Sequence, residues 1–133
     1  MNEPDLETIA TELNALYEEG CRMPFPYEGI RKLLQGGRGN YEGFIPDLSL
    51  YFSTVAGYCS WGKRILRWEA TKIDEAKAAL EKQFFDRHPE YKPLEKMIGE
   101  HGNADLLAKF SLHEKMRIEL LRLLEDLQRL RTH

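Results

Sequence analysis

Cysteine is scarce. Cys21 and Cys59 are the only two in 133 residues, 38 positions apart. A zinc site needs more ligands at shorter spacing, and a disulfide scaffold of this length needs more cysteines. Two reduced thiols in a cytoplasmic protein is the reading that follows. No run of about 18 apolar residues occurs, so no segment is expected to span a membrane. The N-terminus, Met1-Asn2-Glu3-Pro4-Asp5, is acidic with no apolar run behind it, unlike a secretory signal.

A basic excess is missing as well. Lys and Arg total 19 against 22 Asp and Glu, a formal charge of −3, which argues against a dedicated nucleic-acid binder. Among His88, His101, His113 and His133 none stands three or four residues from another histidine or a cysteine, and no HExxH or ExxH pair occurs. Neither a metal site nor a cofactor is therefore expected. No GxSxG elbow, P-loop or GxGxxG fingerprint is present, so no catalytic residue is assigned.

What the chain has is helical periodicity. The residues are 42% hydrophobic and 31% charged, the balance of one globular domain spanning 1–133. Leu6, Ile9, Ala10, Leu13, Leu16 and Tyr17 form a one-faced stripe, with Gly20 placed as its terminator. Met23-Pro24-Phe25-Pro26 reads as a rigid connector, and Tyr27 to Gln35 as a short helix. Gly36, Gly37, Gly39 and Gly43 follow, and Pro46 restarts helix. From 46 to about 68 two apolar stripes share one element, Leu48, Tyr51, Phe52, Val55, Cys59 and Leu50, Tyr58, Trp61, Ile65, Trp68. A strand over Leu48 to Cys59 is the rival reading, and length decides against it. Thr71 to Asp74 predicts a fresh N-cap, with Ile73, Ala76, Leu80 and Phe84 inward as far as His88.

Pro93 opens another short helix, stopped at Gly99 or Gly102. Asn103 caps the last helix, 104–131, whose heptad positions are Leu106, His113, Leu120, Leu127 and Lys109, Met116, Leu123, Leu130. Ser111 to Glu114 marks a restart or kink within it. The fold expected is all-α, an irregular bundle of about five to six helices with long members near 46–68 and 104–131.

Charge is uneven along the chain. Residues 1–30 hold seven acids against Arg22 alone, a net of −6. Residues 31–70 hold six bases against three acids, a net of +3, and 71–133 hold twelve of each. The simplest account is internal, with the acidic first helix lying beside the basic middle. In Trp61-Gly62-Lys63-Arg64-Ile65-Leu66-Arg67-Trp68, an α-helical period puts Trp61, Ile65 and Trp68 on one inward face and the cations in water.

Two functional readings follow. The first is a small non-catalytic protein that binds another protein or a second copy of itself. Leu120, Leu121, Leu124 and Leu127 would be its interface, because that apolar arc is wider than a surface helix needs. The alternative is a ligand- or anion-binding module, enzyme included, with a pocket under the glycine-rich loop 36–43. Backbone amides of such a loop can form an anion nest, and the pocket would use Arg38, Tyr41, Glu42, Arg64 and Arg67.

Overall fold

The computed structural model describes residues 5–35 and 43–132. Helix accounts for nearly all of them, and no strand occurs among the described residues, so the all-α expectation holds. The expectations placed on Pro4 and on 36–42, including Arg38, Tyr41 and Glu42, fall outside the described residues.

Helix α1 spans Leu6–Arg22. Asp5 caps it by accepting from the Thr8 backbone N–H at 2.7 Å, and that bond holds the Asp5 carboxyl below its ordinary pKa. Gly20 does not end the helix. A Cβ there would lie 2.8 Å from Met116 Cε, so the glycine serves close approach of another helix. The rod stops at Met23, ahead of Pro24, and α2 covers Tyr27–Gln35 as the pattern predicted.

Helix α3 spans Phe44–Trp61, beginning ahead of Pro46 and ending short of 68. The chain then tightens into a 3₁₀ segment, Gly62–Arg67, entered through Gly62 at φ 43° and ψ −110°. Only glycine adopts that backbone without strain. Helix α4, Ala70–Ala78, is capped at Glu69, two residues before the predicted Thr71. It runs through a π turn, Ala79–Gln83, into α5, Phe84–Arg87, without a break. Residues 46–88 are therefore neither one helix nor a simple pair. Helix α6 spans Tyr91–His101, with Gly102 at its C-cap. Helix α7, Ala104–Thr132, is capped by Asn103 Oδ1, which accepts from the Leu106 N–H at 2.7 Å. It passes Ser111 with no restart.

Helix α7 is the element on which the bundle gathers, in contact with α1, α3, α4 and α6. Six of its eight heptad positions, Leu106, His113, Met116, Leu120, Leu123 and Leu127, are buried, whereas Lys109 and Leu130 are only half-buried, Lys109 reaching out to pair with Asp105. The second stripe of α3 is only half right, because Leu50 is 65% exposed. Aromatic rings fill the joints, with Phe25 stacked on Phe52 at 4.3 Å and Tyr51 on Phe84 at 4.2 Å.

The leucine arc requires a correction. Leu120, Leu124 and Leu127 are 0%, 1% and 0% exposed, and Leu121 is half-buried against the same core. With neighbours on several sides, α7 uses the whole arc inside its own chain. These leucines are core, not a free partner surface.

His113 donates from Nε2 to the Met23 carbonyl at 2.8 Å, tying α7 to the connector, and its ring meets Phe25 edge-on. Burial lowers its pKa below the ordinary 6.5, with the Met23 bond opposing that shift. Folding thus favours the neutral ring. The stability this lends is complete above the unfolded value and is lost as pH falls through the folded one. Thermal melts from pH 7.5 to 5 should show the advantage of wild type over His113→Gln shrinking as pH drops; a constant gap would refute it.

Candidate functional site

Three features of the surface and interior could carry chemistry or binding. The first is the corner where α3 ends. A 3₁₀ helix repeats every three residues, so i and i+3 lie one above the other. Gly62, Ile65 and Trp68 are buried, whereas Trp61 is 41% exposed and Lys63, Arg64 and Arg67 are exposed. Arg64 and Arg67, three apart within the 3₁₀ segment, therefore share one outward edge, and Trp61, the last residue of α3, stands half-exposed at its head on the other side of Gly62. The α-helical reading, with both tryptophans inward, fails because Gly62 breaks the helix after Trp61 and the period beyond it is three and not 3.6. Trp61, Trp68 and Tyr58 form a triangle of rings with centroids 5.3 to 5.6 Å apart, and the Lys72 ammonium lies 4.8 Å from the Trp68 ring. Burial raises the Tyr58 pKa. Among the described residues Lys63, Arg64 and Arg67 form no ion pair.

The internal account of charge holds in placement, since helix α1 packs against α3 and the 3₁₀ segment. No direct ion pair joins them among the described residues, and Glu12 of α1 pairs instead with Arg122 of α7 at 2.8 Å.

The second feature is a buried polar cluster at the π turn, which sequence reasoning missed. Arg117 donates from Nε and Nη2 to Glu114 at 3.0 and 3.1 Å and from Nη1 to Glu81, which the π turn carries. Tyr91 donates its hydroxyl to Glu114, and the Arg117 guanidinium lies 5.1 Å from the Phe85 ring. Burial works against the Arg117 charge, but the Glu114 bonds and the surrounding negative charge more than restore it, so its pKa is raised. Burial, and then Glu114, push the Tyr91 hydroxyl up. The Tyr51 hydroxyl is buried beside this cluster, near enough to Arg117 to feel its charge but without a well-formed hydrogen bond among the described residues. One sequence signal was available: Glu114 and Arg117 stand three apart on one helix face. The π turn, which brings Glu81 to them, had none.

The third is an open groove of about 330 Å³ beside the N-terminal half of α7. Glu95, Leu107, Phe110, Ser111, Lys115 and Ile118 line it, together with Glu114 and Glu119. Leu107 and Ile118 are 40% and 55% exposed. Eleven residues apart, they fall within about 20° of each other around the helix. A further groove of about 410 Å³, between Tyr27 and Lys109, joins the start of α2 to that of α7. Neither groove includes Arg64 or Arg67.

His88 bridges two elements, with Nε2 2.7 Å from Asp47 Oδ2 and Nδ1 3.0 Å from Glu90 Oε1. Burial pushes the Cys59 thiol up to about 12, which keeps it protonated and unreactive. Among the described residues no group of three or more His, Cys, Asp and Glu side chains is placed to hold a metal ion, and no helix is long and apolar enough to cross a membrane.

No curated protein and no solved structure matches the chain. A family match covers residues 11–121, which takes in the corner, the π turn, the groove and all but the last turns of α7. On that match the chain belongs to the YxiJ-like protein family.

Proposed function

We propose that this protein is a non-catalytic binding domain whose partner is another protein, held in the groove on the outer face of α7. The observation that carries the reading is the pair Leu107 and Ile118, large apolar side chains left 40% and 55% exposed on a helix otherwise clasped by its own bundle. Of the carboxylates that border the groove, Glu114 and Glu119 are paired with Arg117 and Arg122, and Glu95 forms no ion pair among the described residues. An amphipathic helix with two apolar anchors three turns apart complements that surface. A second copy of this chain is the weaker occupant, because two apolar residues a side fall short of the roughly 800 Å² per partner of a stable interface.

A photo-crosslinking residue at Ser111, in the groove, tests this in the native host. It should give a discrete heavier adduct that the same residue at the exposed Ser53 of α3 does not. Leu107→Glu/Ile118→Glu should abolish the adduct while leaving the melting temperature within a few degrees, as surface changes do. An adduct at twice the chain mass would replace the partner with a homodimer. Equal adducts at Ser111 and Ser53 would remove the groove from consideration.

A further inference from the structure

We propose that the edge formed by Arg64 and Arg67, with Trp61 at its head, is a second recognition site, one that reads an extended acidic segment of a protein with carboxylates on alternate residues. It is independent of the α7 groove, shares no residue with it, and stands or falls separately.

The geometry starts from the period. At about 2.0 Å of rise per residue, the outward positions of a 3₁₀ helix repeat about every 6 Å. Side chains on one face of an extended chain repeat about every 6.6 Å. The two spacings agree to within the reach of an arginine side chain. An extended peptide lying along the edge therefore places carboxylates of alternate residues at Arg64 and Arg67, and an apolar side chain ahead of them is offered the half-exposed Trp61 ring. Arginine is suited to this because its planar fork takes a carboxylate through two parallel hydrogen bonds.

The edge is also held ready. The inward residues Gly62, Ile65 and Trp68 are buried, and the Gly62 conformation at φ 43° fixes the turn from α3. The Trp61 ring is wedged against Tyr58 at 5.3 Å and Trp68 at 5.6 Å. Little side-chain freedom of the tryptophan remains to be lost on binding. The cations are uncommitted. Arg117 and Arg122 of α7 are occupied by carboxylates of their own chain, whereas Lys63, Arg64 and Arg67 have no ion pair among the described residues.

Charge around the edge selects the class of partner. Helix α1, in contact with the 3₁₀ segment, carries Glu7, Glu18 and Glu19, and the whole chain is at −3. A long polyphosphate backbone would run from two arginines into that acidic surface, without the extended basic stripe that nucleic-acid binding uses. An anionic bilayer meets the same acids. A short peptide carries only the two carboxylates that Arg64 and Arg67 take up and so brings no further negative charge to α1.

The test is a tryptophan-fluorescence titration at low salt with a synthetic peptide, Ser-Gly-Leu-Thr-Glu-Thr-Glu-Thr-Gly-Ser. Saturable binding that weakens as salt is raised is expected. Arg64→Gln/Arg67→Gln should weaken it about tenfold. Lys92→Gln/Lys96→Gln, which removes the same charge from exposed positions on α6, should leave it unchanged. Equal losses in both variants would reduce the effect to net charge and overturn the site. Equal binding of the glutamine version of the peptide, or of one with adjacent glutamates, would overturn the carboxylate register. Tighter binding of a ten-nucleotide oligothymidylate, or of phosphatidylglycerol vesicles, would reassign the edge to phosphate. Absence of binding by every probe would end the proposal.

Discussion

Arg117→Met should lower the unfolding free energy by about 3–5 kcal/mol, because removing one partner of a buried ion pair strands the other. The side chains of Arg117 and Glu114 are only 11% and 13% exposed. Without the guanidinium, Glu114 keeps only the Tyr91 hydroxyl among its described partners, and Glu81 of the π turn loses its link to α7. In a chain of this size the melting temperature should fall on the order of 10–20 °C. Replacing the set together, as Arg117→Met/Glu114→Leu/Tyr91→Phe, should recover most of the loss, since a packed apolar cluster carries no desolvation cost. Tyr51→Phe supplies the contrast. It removes a buried hydroxyl that makes no well-formed hydrogen bond among the described residues and should leave stability unchanged or raise it by about 1 kcal/mol. Urea denaturation of the four proteins measures all of this. A single variant within about 1 kcal/mol of wild type would mean the cluster is not coupled to folding.

Leu127→Ala and Leu120→Ala should each cost about 2–5 kcal/mol, the range for emptying a fully buried leucine site. Both residues are 0% exposed. Leu107→Ala, on the outer face of the same helix, should stay within about 0.5 kcal/mol. The losses should not depend on protein concentration, because the lost contacts lie within one chain. An interface reading of the arc demands the opposite, a small and concentration-dependent effect. Equilibrium denaturation at two protein concentrations tenfold apart separates the two. Leu127→Ala behaving like Leu107→Ala would return the arc to the surface.

These results hang on features of different legibility. The core positions of α1, α4, α5 and α7 were readable from spacing alone, because an amphipathic helix buries one stripe whatever it packs against. Asn103 was readable as a cap because its side chain has one local job there, accepting the Leu106 N–H. Gly20 was misread. Both a helix end and a close crossing call for glycine, and only the presence of Met116 beside it tells the two apart. The leucine arc was misread for a related reason. An over-wide apolar face says that something covers it and not which chain the cover belongs to.

At the corner the failure was one of period. Residues 61–68 suit a 3.6 repeat as well as a repeat of three, and the choice turns on Gly62 adopting φ 43° once α1 and α3 are in place. That choice parts Trp61 from the inward face of Ile65 and Trp68 and sets Arg64 and Arg67 in line with each other. The π turn is the same kind of case. No local pattern announced it, yet it brings Glu81 to Arg117 across 36 positions of sequence.

By itself, then, the sequence determined the all-helical class, most of the core and the absence of any familiar catalytic spacing, since periodicity and motif spacing are local properties. The tertiary structure alone decided which apolar face is free, which cations are left without a partner and where a buried charge finds its counter-ion. Each of those depends on residues far apart in the chain, and a neighbour's identity is not encoded in the segment it covers.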